Sequence, residues 1–264
     1  MNVIRAVWCV VMLVAVQGLH PVRPVYAASA GEPEAAVARG NQAYARGQLQ
    51  EALVAFVGAQ TQAPAHFGAL LGLARVESEL AEGTKDEERR RLIASAVEHA
   101  RAAVKAAPDE AHAHVWLAVA LRQQTEMEGP KTRAGLWREI KSELDRSIGL
   151  DAGIAQAYLE RGRWNRRLAG RGIWERTVSK VLLAKVPKGA ARENAVRDLE
   201  KAVELAPAMI DARMELAHIY LDRERHADAR RELERVIALP VQRPRDPGLQ
   251  AEARTLLEKL AKRG

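Results

Sequence analysis

The sequence is short of the residues that build most active sites and most sheets. Its 264 residues include one cysteine and two phenylalanines, and aromatics make up only 4%. The cysteine, Cys9, lies in an apolar run near the start. A chain cut after that run would hold no thiol, hence no disulfide and no cysteine metal site, even in an oxidising compartment. Period-2 runs of Val, Ile, Thr and aromatics are missing, which argues against strands, whereas abundant alanine suits close-packed helices. A phosphate-cradling glycine loop, a Gly-x-Ser-x-Gly elbow, a Cys-His pair and an HExxH zinc helix are missing too. Neither catalysis nor a cofactor is expected.

Met1 to about Ala27 reads as a secretory signal. Arg5 supplies the positive start, Ala6 to Val16 an apolar core too short to span a bilayer comfortably, and VYA and ASA the small-residue cleavage sites. Cleavage is expected after Ala27, which predicts a periplasmic or secreted protein. The alternative is an uncleaved anchor, because the stretch before the cut is long and contains Pro21, Arg23 and Pro24. Cys9 lacks the small-residue context of a lipoprotein cysteine. The full chain carries +7; losing Arg5 and Arg23 leaves 39 basic against 34 acidic residues, a formal +5. That mild excess steers acidic partners inward or simply keeps the array soluble.

After a short linker, 28–32, helical spacing takes over. The stretch Ala195 to Pro240 resembles a tetratricopeptide repeat, a pair of antiparallel helices with large residues at slots 4, 7, 11 and 24, small ones at 8, 20 and 27, and proline near 32. With Ile210 in slot 1, Leu216, Ala217, Tyr220, Ala229, Leu233 and Val236 fall in slots 7, 8, 11, 20, 24 and 27. The match recurs from Pro33, with Gly40 in slot 8, Gly47 in the turn, Phe56 in slot 24 and Pro64 in slot 32. The resemblance implies an all-α helical-hairpin solenoid of five repeats (33–66, 67–110, 111–154, 155–209 and 210–243) and a capping helix over 246–263. Terminal units cannot bury both faces, so such a cap is needed.

The middle repeats carry insertions. Thr84 and Glu87 predict a capping box that starts a long second helix in repeat two, and Gly129-Pro130 a turn in repeat three. Asp151-Ala152 stands where proline usually closes a repeat, and Arg161 occupies the apolar slot 7 of repeat four. The largest insertion, about Gly170 to Ala190, holds an amphipathic segment with Ile173, Trp174, Val178, Val181 and Leu182. The insertions, with Gly162-Arg163-Trp164, Trp174, Pro187 and the run Leu199 to Leu205, make the region from Glu79 onward resemble the regulator of microtubule dynamics family and its bacterial relatives. In eukaryotic members that name points to microtubules and organelle contacts, which an exported bacterial-type protein would not use. What the resemblance implies is a helical repeat domain that binds something.

Tetratricopeptide domains take extended peptides in a concave groove lined by slots 2, 5, 9, 12 and 13 of each first helix. Carried over, these are Asn41 and Tyr44; Arg75 and Glu79; Val115, Arg122 and Gln123; Leu159, Arg163, Arg166 and Arg167; and Met214, His218 and Asp222. Val37 stands where a two-carboxylate clamp has lysine, so a chaperone-tail receptor is not expected. Arg163, Arg166 and Arg167 crowd one helix face. They either accept a carboxylate or phosphate through their guanidinium forks or pair with Glu160, Glu175 or other acids. Arg89 to Arg91 read as a solvated helix end. His112 and His114, two apart on a helix, do not share a face, so no metal site is expected. Trp116, Trp137, Trp164 and Trp174 read as packing between helices.

The expected function is an exported, non-enzymatic scaffold that holds an acidic peptide of a protein partner through Asn41, Tyr44, Arg75, Arg122, Arg163, Arg166, Arg167 and His218. The alternative is a carrier of a lipid or small anion in the same groove, with peripheral membrane contact. An export signal argues against nucleic acid as a partner.

Overall fold

The computed structural model describes residues 33–169 and 188–262. The leader and Ile173, Trp174, Glu175, Val178, Val181, Leu182 and Pro187 lie outside them. Eleven helices are described: α1 (Pro33–Ala45), α2 (Leu49–Gln62), α3 (Phe67–Gly83), α4 (Asp86–Ala106), α5 (Ala111–Gln124), α6 (Pro130–Leu150), α7 (Ala155–Ala169), α8 (Lys188–Leu205), α9 (Ile210–Asp222), α10 (His226–Ala238) and α11 (Asp246–Ala261). No strand occurs among the described residues.

Proline and its stand-ins set the punctuation. Pro33 and Pro130 open α1 and α6, where the missing N–H costs nothing. Pro64, Pro108 and Pro207 sit in the turns after α2, α4 and α8. After α6 the same turn is made by Asp151, whose Oδ1 accepts a 2.7 Å bond from the Gly153 N–H. This side chain bonded to its own backbone two residues on explains how Asp151-Ala152 replaces proline. The Thr84–Glu87 capping box does not form. Thr84 Oγ1 donates back to the Ala81 carbonyl at the end of α3, and α4 starts one residue later, capped at Lys85 without a side-chain bond. The last helix starts at Asp246, with Pro247 and Gly248 in its first turn.

Each helix packs on its neighbour in sequence. In addition α1 touches α3, α3 touches α5, α5 touches α7, and α7 touches α9, whereas among the described residues no second helix touches the next second helix. The first helices thus form a crowded inner row, and the array is concave on their side. Phe56, fully buried, fills the first crossing between two glycines. A Cβ on Gly40 would come 2.6 Å, and on Gly72 2.4 Å, from its ring. Two backbones therefore close on one aromatic, whose burial stabilises the array by about 1.5–3 kcal/mol.

Slot 4 gains a second job in two repeats. His114 and Arg213 are both buried there. His114 joins Glu143 of α6 at 2.5 Å through Nδ1 and the Pro108 carbonyl at 2.9 Å through Nε2. Arg213 donates to Glu232 of α10 at 2.8 Å and, through Nε and a terminal nitrogen, to the Pro207 carbonyl. A cation-capable side chain thus ties the first helix both to its own partner helix and to the turn closing the preceding unit.

Candidate functional site

The inner row carries two cavities and a network of buried charge. The larger cavity, about 720 Å³, is bounded among the described residues by Glu82, Arg122 and Glu126, by Arg163, Arg166, Arg167 and Trp137, and by Arg192, Glu215, Asp222, Arg223 and Arg245, among others. The smaller, about 540 Å³, is walled by Leu49, Leu80, Trp116 and Val119 and by Gln156, Arg243, Pro244 and Arg245. Glu82, Arg122, Arg163 and Arg245 border both.

Arg163 is the hub of the network. It donates to Glu160 one turn earlier at 2.8 Å, and across to α9 it reaches Asp211 at 2.9 Å and Glu215 at 3.0 Å. Burial works against its charge, but the three carboxylates outweigh it and hold the guanidinium pKa well above its ordinary value. Arg166 shares Glu215, Arg122 donates to Glu160 at 2.8 Å, and Arg245 reaches Asp211 at 2.5 Å. Burial alone would raise these carboxyls. Instead Arg122 and Arg163 hold Glu160 below the usual range, Arg163 and Arg245 hold Asp211 down, and Arg163 and Arg166 hold Glu215 down. Such pairs are costly to break, because each partner left alone is a buried charge.

Of the residues expected to form the site, Arg122, Arg163, Arg166 and Arg167 share the larger cavity. Arg167 is exposed and lies over the Trp137 ring, 5.1 Å from its centre. Asn41, Tyr44 and Arg75 form a separate cluster on α1 and α3. Arg75 donates to Asn41 at 3.1 Å and stacks 3.7 Å above the Tyr44 ring, while the Tyr44 hydroxyl donates to Glu79. Burial, then the neighbouring Glu79 charge, pushes the Tyr44 pKa up. His218 borders neither cavity and faces Glu252 of α11 at 3.2 Å. Val115, Gln123, Leu159 and Met214, expected on the groove wall, are instead buried. Neighbouring first helices press together and cover them, and Gln123 donates to the Ser78 carbonyl.

The spacing rules missed Glu82, Asp211, Glu215, Arg243 and Arg245. Asp211 does occupy slot 2 of repeat five, and Glu215 repeats the slot 6 position of Glu160. Arg243 and Arg245 come from the turn before α11 and carry no repeat signal. The odd arginine of slot 7 is explained too. Arg161 forms two bonds to buried Asp198 of α8, at 3.0 and 2.8 Å, and Asn165 donates to the same carboxylate at 3.0 Å.

One turn of α7 thus does three jobs. Gly162 lets Leu199 approach to 2.6 Å of where a Cβ would stand, Arg163 gathers the carboxylates, and Trp164 is buried with its indole N–H on the Trp137 carbonyl at 2.9 Å. This Gly-Arg-Trp turn sits within residues 36–261, which match the family model for regulator of microtubule dynamics proteins 1 to 3. The chain belongs to that family. It is similar to regulator of microtubule dynamics protein 3 of Rattus norvegicus, 28% identical over 170 residues, covering 64% of this chain and 36% of the rat protein. Against regulator of microtubule dynamics protein 1 of Mus musculus it is 27% identical over 188 residues, covering 70% of this chain and 61% of the mouse protein. The chain spans only about a third to three fifths of these relatives' lengths. Among solved structures, a thermophilic tetratricopeptide repeat protein of Thermus thermophilus superposes with a TM-score of 0.61 at 22% identity. That match covers 85% of this chain and 98% of the Thermus chain, and shows the shared repeat fold. This regulator of microtubule dynamics family member has a tetratricopeptide-type helical-repeat fold.

Proposed function

We propose that this protein is an exported scaffold, acts without catalysis, and holds an acidic peptide segment of a protein partner in the larger cavity. One observation carries the reading. Seven arginines but four carboxylates line that cavity among the described residues. Glu160 and Asp211, behind the lining, help to neutralise Arg122, Arg163 and Arg245, so the attraction for an anionic guest rests on exposed Arg167 beside Arg166 at the rim, with steering that weakens as salt rises. Arg166 and Arg167, at the rim beside Trp137, are the residues to test. Arg163 is not, because reversing its charge would bury a fourth carboxylate against three acids.

Fluorescence anisotropy with a labelled glutamate-rich peptide tests this. The chain carrying Arg166→Gln and Arg167→Gln is expected to bind about tenfold more weakly, the cost of losing one or two charge-assisted contacts, with unchanged circular dichroism. Equal binding by both proteins would overturn the reading. A second reading, a carrier of a lipid or small anion, draws on the smaller cavity, where Leu49, Leu80, Trp116 and Val119 form an apolar wall beside arginines. Lipid co-purifying with the chain, and lost on Val119→Glu, would favour it.

A further inference from the structure

Glu82 is an odd carboxylate. It lies in the last turn of α3, where the helix dipole disfavours negative charge, and only a quarter of its side chain is exposed. Its two oxygens are divided between two arginines from distant parts of the chain. Oε2 accepts from Arg245 at 2.5 Å, across 163 positions of sequence, and Oε1 lies 3.8 Å from Arg122. Each arginine has a better-buried second partner, Asp211 for Arg245 and Glu160 for Arg122, at 4% and 1% exposure. Both would keep their places if Glu82 left. Arg245 also has a buried Nε with no acceptor, a donor in excess of what the fold uses. Finally, Glu82 borders both cavities, as do the two arginines it joins.

We propose that Arg122 and Arg245 form a carboxylate-recognition subsite whose resident occupant is Glu82, and that a glutamate or aspartate side chain of the partner peptide takes its place. The inference rests on the acidic-peptide reading and adds to it the residues that select the ligand. Displacing Glu82 opens a gap in the wall that it shares with Arg122, Arg163 and Arg245, so that an extended segment can run from the arginine-rich cavity into the one walled by Trp116 and Val119. The partner this fits has a carboxylate at its centre, with an apolar residue a few positions away for that wall. The arginines exchange a carboxylate for a carboxylate, and Glu82, already a quarter exposed, turns its own charge to solvent, so no charge is left buried and unpaired in either state.

The probe is a fluorescein-labelled peptide of alternating glutamate and alanine with one central leucine, and a glutamine-for-glutamate version is the control. Glu82→Gln removes the competing occupant and is expected to tighten binding of the acidic probe about tenfold, as loss of one charge-assisted competitor predicts, without affecting the control. Adding Arg245→Gln to that variant is expected to reverse the gain. Thermal melts of all three proteins show whether α11 stays docked, and Arg245→Lys, which retains the charge but loses the fork, stands in if Arg245→Gln unfolds. If wild type binds the acidic probe and Glu82→Gln binds it no more tightly, the resident-occupant inference is overturned and the acidic-peptide reading stands. If neither binds it, both fall.

Discussion

Two hairpins of the array, α1–α2 and α7–α8, cross at a glycine in the same slot, yet they fill the crossing by opposite means. At the first, Gly40 leaves room for Phe56, and the contact is pure volume. At the second, Gly162 leaves room for Leu199, but beside it Arg161 and Asn165 converge on Asp198, and one residue further Arg163 draws in acids from its own helix and from α9. Apolar filler tolerates small shifts in angle, since dispersion has no direction. A forked guanidinium on a carboxylate does not, because its bonds fail as geometry drifts. The repeat rule therefore sets how the backbone folds, whereas the charged crossings fix how closely neighbouring units are held around the site.

The largest test of this contrast is on the apolar side. Phe56→Ala empties the space between Gly40 and Gly72 and is expected to cost about 3–5 kcal/mol, read from urea unfolding. A loss under about 1 kcal/mol, well short of that range, would show that the glycines, rather than the ring, set the crossing. On the ionic side, Asp198→Ala strands Arg161 and Asn165 and is expected to cost about 3 kcal/mol. Replacing both Arg161 and Asp198 with leucine is expected to recover most of it, because an apolar pair of similar volume is often as stable as a buried ion pair. No recovery would mean that the geometry of the bonds, and not merely their mutual neutralisation, holds the second crossing.

The smallest and most selective test is acid. Glu160, Asp211 and Glu215 are held below the usual carboxyl range by their arginines. Their contribution is therefore fully present above an unfolded pKa of about 4 and is lost as pH falls below it toward the depressed folded values. Hydrogen exchange is expected to show α7 and α9 loosening below that pH before α1 to α3, where Phe56 has nothing to titrate. Simultaneous loosening would erase the distinction between the two regions.

How much the sequence reveals follows the same divide. Gly40, Phe56, Ala229, Leu233 and Val236 occupy their slots because volume rules recur every repeat, and all are buried. Arg161 breaks the rule, and buried Asp198, 37 positions later, explains it together with Asp145 on the preceding helix. Arg163, Arg166 and Arg167 can be picked out as an unusual cluster, yet their acids lie on other helices, so whether they are filled or free depends on packing that periodicity does not encode. Arg245 has no repeat register, and nothing local marks it as a partner of Glu82. Thr84 misleads because the same side chain that caps the start of a helix can equally close the end of the previous one.

Repeat arrays whose units touch only their neighbours can fray from either end, one hairpin at a time. The Arg245–Glu82 contact, linking residues 163 apart, ties the final helix to the second repeat and sets a limit on that freedom. Loss of α11 also costs α3 a partner, so the two ends lose independence and unfolding gains cooperativity that the hairpins alone would not supply. A single ion pair thus couples hairpins far apart along the chain, and the array behaves as one unit rather than a row of separable ones.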